Sequence, residues 1–184
     1  MVEPISLDEA KLNLRVDTDA EDTRIAGLIV TAREYIEGEY DLVIVPQTVT
    51  ETARELGRWI DLASWPVTAI SEIRYPVGGV MMPLAEGSWQ ASFKRRPVRV
   101  LPASFGWGGV AHHSCRDGLP IEIDVQAGYA TPDAVPATIK QAMHLLITHF
   151  YTNRSAVEAG ARAAAIEIPL GVEALLRRFR VEMV

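Results

Sequence analysis

Val135-Pro136-Ala137-Thr138-Ile139-Lys140-Gln141-Ala142-Met143-His144-Leu145-Leu146-Ile147-Thr148-His149-Phe150-Tyr151-Thr152-Asn153-Arg154 is the stretch on which the fold turns. Ile139, Ala142, Met143, Leu146 and Phe150 recur at the helical period, and Ile147 and Tyr151 lie beside them. The apolar arc is therefore wide, as in a helix covered by neighbours on more than one side. Pro136 suits the first turn, where its missing N–H would be unpaired anyway. No catalytic motif sits on this helix. It reads as an element built to pack.

Downstream, residues 155–168 hold six alanines and a glycine, a composition open to loop, frayed helix or a segment that orders on assembly. A short helix is expected from Pro169 or Leu170, and Arg177 and Arg178 near its end suit the helix dipole. Upstream, Ser6-Leu7-Asp8-Glu9 reads as a capping box that starts a short helix through Leu14. Thr18 or Asp19 is expected to cap a second helix. Ile25, Leu28, Ile29, Ala32 and Ile36 form its stripe, and Gly38 marks the expected stop.

Between these ends the period changes. Val43, Val45, Val49 and Thr50 have strand character, as do residues 58–62, 67–75, 89–93 and 98–100. Residues 121–127 alternate strictly, which predicts a half-buried strand. Pro66, Pro76 and Gly78-Gly79 punctuate these runs and suggest a small antiparallel sheet or sandwich-like module. The expected class is α+β: a helical bundle of two N-terminal and two C-terminal helices with a large β-rich insertion. The helical core takes residues 1–41 and 130–184, and the insertion takes residues 42–129.

Composition narrows the function. With 184 residues there is enough chain for a real core. A net charge of −6 argues against a dedicated nucleic-acid binder, though not against a wall that DNA slides past. The single cysteine, Cys115, cannot form an internal disulfide and fits a reducing compartment. The N-terminus lacks the pattern of a signal peptide, and no run is long enough for a transmembrane helix. Synthesis in a cytoplasm and no membrane association are the expectations.

Sharper chemical readings fare poorly. Residues 17–28 fail as a calcium loop, with Asp22 where glycine is needed and Leu28 where glutamate is needed. His112, His113 and Cys115 lack the second ligand pair of a structural zinc site. His144 and His149 are five apart, not the three or four of helical metal pairs. Gly106-Trp107-Gly108-Gly109 lacks the Lys-Ser/Thr of a phosphate loop. No catalytic, cofactor-binding or metal-ligating residue is assigned, and no cofactor is expected. Lys94, Arg95, Arg96 and Arg99 form the most basic run, either a solvated face or a contact to channel DNA or an acidic neighbour. Trp59, Trp65, Trp89 and Trp107 all fall in the β-rich block, as core or as contacts to a neighbouring chain.

The two ends together resemble the head–tail connector, or head-completion adaptor, family of long-tailed phages and gene transfer agents. The likeness runs through residues 5–11, Leu14-Arg15-Val16-Asp17, Glu21-Asp22 and residues 25–32. At the far end it takes in Val135-Pro136, residues 139–142, His149-Phe150-Tyr151, Asn153-Arg154, residues 168–172 and Leu175-Leu176. The long β-rich middle departs from compact members. The resemblance implies a non-enzymatic, homo-oligomeric ring, twelve-fold to match a portal, at the neck of a virion or phage-like particle. It would extend the channel for double-stranded DNA, without sequence specificity, and carry the stopper and tail proteins. Its C-terminal end, with Arg177, Arg178, Phe179 and Arg180, would face the portal protein. Arg24, Arg33, Arg154 and Arg162 are candidate ion-pair partners between subunits, each worth about 0 to 1 kcal/mol if exposed. The alternative is a small hydrolase or metal-dependent enzyme hosted in the β-rich block.

Overall fold

The computed structural model describes residues 2–104, 106–108, 119–153 and 170–180. It is mixed α+β. The chain divides into two compact units, one of Met1–Val45 with Tyr129–Val184 and one of Pro46–Gly128.

The first unit is helical. Helix α1 (Leu7–Leu14) opens on the expected capping box: Ser6 Oγ accepts from the Glu9 amide at 3.2 Å, and Glu9 accepts from the Ser6 amide at 2.8 Å. The hydrogen bond from the Ser6 amide to the ionised carboxylate holds the Glu9 carboxyl below its usual range. Arg15 ends α1 in the left-handed conformation, with φ of 58°. Helix α2 (Asp22–Tyr40) differs from expectation at both ends. Neither Thr18 nor Asp19 is its N-cap, which is Glu21 without a side-chain bond. Asp19 and Asp22 instead receive Lys11 Nζ at 2.7 and 2.8 Å, tying the start of α2 to α1. Nor does α2 stop at Gly38. It continues until Tyr40 is buried, and Asp41 caps it with φ of 50°. Glycine weakens a helix by only about 1 kcal/mol, which burial of one aromatic ring offsets.

A single 3-10 turn (Pro132–Ala134) leads into α3 (Ala137–Thr152), for which Pro136 is the N-cap. The wide arc is fully used: Ile139, Ala142, Met143, Leu146, Ile147 and Phe150 are all buried, and α3 touches α1, α2 and the last helix. That helix, α4 (Leu170–Leu176), runs into a 3-10 turn (Arg177–Phe179). It buries Val172, Leu176 and Phe179.

The second unit holds two antiparallel sheets. Its strands are β1 (Gln47–Ala53), β2 (Ile60–Leu62), β3 (Val67–Val77), β4 (Val80–Pro83), β5 (Trp89–Ser92), β6 (Val98–Pro102) and β7 (Ile121–Ala127). One sheet has the order β1-β7-β3-β4 and the other β2-β6-β5. The alternating segment, β7, buries Ile121, Ile123, Val125 and Ala127 and lies inside its sheet, between β1 and β3. Gly78 and Gly79 have φ of 58° and 83° and join Val77 to its partner Val80. Two consecutive positive φ angles give the two-residue hairpin turn whose twist matches paired strands.

Residues 42–45 are a correction. Their apolar composition reads as strand, but they form no named strand and belong to the helical unit. All four are buried there, and the Ile44 amide donates to Glu37 Oε1 at 2.7 Å. A buried N–H needs a partner, and a carboxylate on α2 supplies it without a strand neighbour.

Candidate docking surfaces

The C-terminal basic group is positioned by α4. Gly171 lets α4 approach α3 closely, since a Cβ there would stand 3.3 Å from Leu145 Cδ1. The turn that follows then places its side chains in different ways. Phe179 is buried. Arg178 stands over the Phe179 ring, 4.7 Å from its centre, and donates to Thr138 Oγ1 at 2.7 Å. Arg180 reaches Glu39 at 3.0 Å and lies over the Tyr40 ring. Arg177 is exposed and has no side-chain partner among the described residues. Three of the four sequence candidates thus contact their own helical unit, Arg178 and Arg180 while still exposed, and Arg177 is exposed without such a contact.

The basic run of the β-rich unit also separates. Lys94 and Arg95 are exposed, whereas Arg96 and Arg99 are half-buried. Arg99 forms a two-pronged contact with Asp61, at 2.6 and 2.7 Å, across the β2–β6 pair. That contact holds the Asp61 carboxyl below its ordinary range, and the charge of Arg95 adds to the effect. Trp59 lies beside them, with the Arg99 guanidinium 4.2 Å from the ring centre. Of the other tryptophans, Trp107 is buried and its indole N–H donates to Gly57 O at 2.7 Å. Trp65 and Trp89 are half-buried.

Arg33, a sequence candidate for subunit contact, is turned inward. Only 8% exposed, it pairs with Glu3 at 2.9 Å and Glu37 at 2.5 Å. Because Glu37 also binds the Ile44 amide, one guanidinium ties the N-terminal arm, α2 and residues 42–45 together. Arg24 likewise serves its own unit, pairing with Glu21 at 3.3 Å and standing over Tyr151. The Tyr151 hydroxyl donates to Glu21. Arg154 and Arg162 lie outside the described residues, as do His112, His113, Cys115 and residues 155–168.

Two further connections escaped sequence reading. Glu51 on β1 accepts from the Ala63 and Ser64 amides at 2.8 and 2.9 Å, joining the four-stranded sheet to the end of β2. Arg74 gathers Glu72, Glu122 and Asp124 at 2.6, 2.9 and 2.6 Å on neighbouring strands. Spacing along the chain carries no sign of either, because each contact depends on strand order. Among the described residues, no group of three or more His, Cys, Asp or Glu side chains is placed to hold a metal ion, and no helix is long and apolar enough to cross a membrane.

The chain is thus an α+β protein in which Arg33, Arg74, Arg99 and Glu51 brace the framework. Residues 4–57 match the phage gp6-like head-tail connector protein family. Over nearly its full length the chain is similar to one in the neck of an empty GTA particle computed with C6 symmetry. The identity is 27%, the match covers 98% of this chain and 91% of that one, and the TM-score is 0.71. A chain of the virion of a native gene transfer agent (GTA) particle matches with 27% identity, the same coverage and a TM-score of 0.69. A third, from the neck of a native GTA particle computed with C12 symmetry, has 26% identity, coverage of 95% and 89%, and a TM-score of 0.62. No curated protein matches. The resemblance read from the two helical ends is borne out: residues 4–57 match the connector family, and the chain is similar to chains of GTA necks over nearly its full length.

Proposed function

We propose that this protein is a structural head–tail connector at the neck of a phage-like particle. The observation that carries the reading is the likeness to neck subunits over 98% of the chain, β-rich unit included. The match of residues 4–57 to the connector family supports it independently. The protein works by binding rather than by chemistry: copies form a ring, and the ring joins a portal to a stopper and tail. Symmetries of C6 and C12 in the similar necks support a ring of six-fold or twelve-fold order. Double-stranded DNA would pass along the ring axis without sequence readout, as suits a chain with a net charge of −6.

In this reading the helical unit is the ring-forming core and the β-rich unit is an insertion into it. Each unit is closed at the joint. In the helical unit the Tyr129 amide donates to Ile44 O at 3.2 Å. In the β-rich unit Gln47 pairs with Ala127. The C-terminal turn faces the portal, with Arg177 as its available cation. Arg178 and Arg180 add exposed charge held by Thr138 and Glu39, Phe179 supports the turn from within, and Lys94 and Arg95 offer a second contact. No observation favours a hydrolase in the β-rich unit.

Particles assembled without the protein test the reading. Filled heads lacking tails, or heads that lose their DNA, are expected in electron micrographs. Tailed particles in normal number would overturn it.

A further inference from the structure

The β-rich unit carries two surfaces of opposite charge excess, one on each sheet. Just before β2 of the three-stranded sheet, Trp59 is 39% exposed. The guanidiniums of Arg58 and Arg99 stand over its ring, at 5.4 and 4.2 Å from the centre. Arg95 lies near enough for its charge to act on Asp61. Arg58 and Arg99 thus flank the indole, and Arg99 and Arg95 act on the one carboxylate beside it, that of Asp61. Arg58 and Arg95 are exposed and have no ion-pair partner among the described residues. The four-stranded sheet shows the reverse. Glu72, Glu122 and Asp124 share the single guanidinium of Arg74, and the Glu72 side chain is 45% exposed.

We infer that the Trp59-centred surface of one copy docks on the Arg74-centred acidic surface of the next copy. The inference rests on the reading of the chain as a ring-forming connector and names a contact between β-rich units. Tryptophan and arginine are the residue types that dominate binding energy at protein interfaces, where the ring packs and the guanidinium pairs. Duplex DNA would use the arginines but has no packed surface to receive the indole, since its backbone is read by charge. A contact between two different patches is head-to-tail, and repeated with a fixed rotation it closes a ring. Opposite excess charge sets its register and speeds encounter.

The test is sedimentation velocity of the full chain at low and high salt. Self-association at low salt, weakened by salt, is expected. Arg58→Glu with Arg95→Glu gives the aromatic surface an acidic excess, and Glu72→Lys with Glu122→Gln gives the other a basic excess. Each pair alone should remain monomeric, and an equimolar mixture of the two should associate again. Trp59→Ala, with an unchanged circular dichroism spectrum as the check on folding, should weaken association by about tenfold or more. A wild-type chain that stays monomeric at low salt would overturn the proposal. So would reversed variants that associate like wild type, or variants whose one defect is lost binding to a duplex DNA fragment. If particles need the protein for tails while the reversals change nothing, this contact alone is wrong. If particles do not need it, the connector reading itself fails.

Discussion

Arg33 shows how much one side chain can hold. Among the described residues it is the one charged side chain that is buried, and it satisfies Glu3 and Glu37 at once. Removing it leaves two carboxylates facing each other in a partly dry site. Breaking a buried pair from one side is expensive, because the remaining charge stays desolvated. Arg33→Met is expected to destabilise the protein by about 3 kcal/mol, read as a lower urea midpoint at unchanged slope. A lysine would not rescue it fully, since one ammonium lacks the fork that spans both partners. Periodicity placed Arg33 on α2 but could not assign its direction. Its partners lie 30 residues back and 4 ahead, and only the packed arm brings the first of them near.

His144 is the residue-scale case for pH. Its Nδ1 is buried without a hydrogen-bond partner among the described residues. Burial pushes its pKa below the usual histidine value, Glu9 on α1 opposes this, and Lys140 on α3 adds to it. A base with a lowered folded pKa binds fewer protons folded than unfolded. Its contribution to stability is therefore complete above the unfolded value of about 6.5 and is lost as pH falls towards the folded pKa. Comparing melting temperatures at neutral and mildly acidic pH, His144→Gln should lose less than wild type. An equal loss would show that the imidazole stays solvated in the folded protein.

At the scale of elements, α3 is legible because its pattern is local. Six apolar side chains on a wide arc declare a helix with several neighbours, and α1, α2 and α4 are those neighbours. The docking of α4 is less legible, because it depends on an absence. Gly171 has no side chain where Leu145 comes near, so Gly171→Leu should displace α4 and the turn carrying Arg177. Overpacking of this sort typically costs about 1 to 3 kcal/mol. Limited proteolysis should then cut within the last helix, between Leu170 and Leu176, faster than in the wild type. If portal attachment falls in parallel, the C-terminal turn is the docking element. The start of α2 was misread for a related reason. Thr18 and Asp19 have capping chemistry, but Asp19 pairs with Lys11 on α1, which also binds Asp22 in the first turn of α2.

At the scale of the molecule, the two units meet the chain at neighbouring points. The helical unit is closed by the Tyr129–Ile44 hydrogen bond, and the β-rich unit by the pairing of Gln47 with Ala127. Each set of ends can therefore be joined over a short distance. Replacing residues 46–128 by a short Gly/Ser link is expected to leave a helical protein that unfolds cooperatively. The excised piece should keep a strand spectrum in circular dichroism. Loss of cooperative unfolding in the helical piece would mean that the β-rich unit is needed to complete its core.

The sequence by itself determined the α+β class, the identity of α1, α2 and α3, the strand character of residues 121–127, and a resemblance to connectors. These are properties of local period, capping chemistry and motif order, which a linear chain carries on its face. Only the tertiary structure decided that β7, the last strand, lies between β1 and β3. The same is true of the burial of residues 42–45 with the helices and the inward turn of Arg33. Only there do Trp59, Arg58, Arg95 and Arg99 gather on one sheet and Glu72, Glu122 and Asp124 on the other. The reason is physical: a side chain's period sets the face it occupies, whereas its partner is set by which distant segment packs against that face.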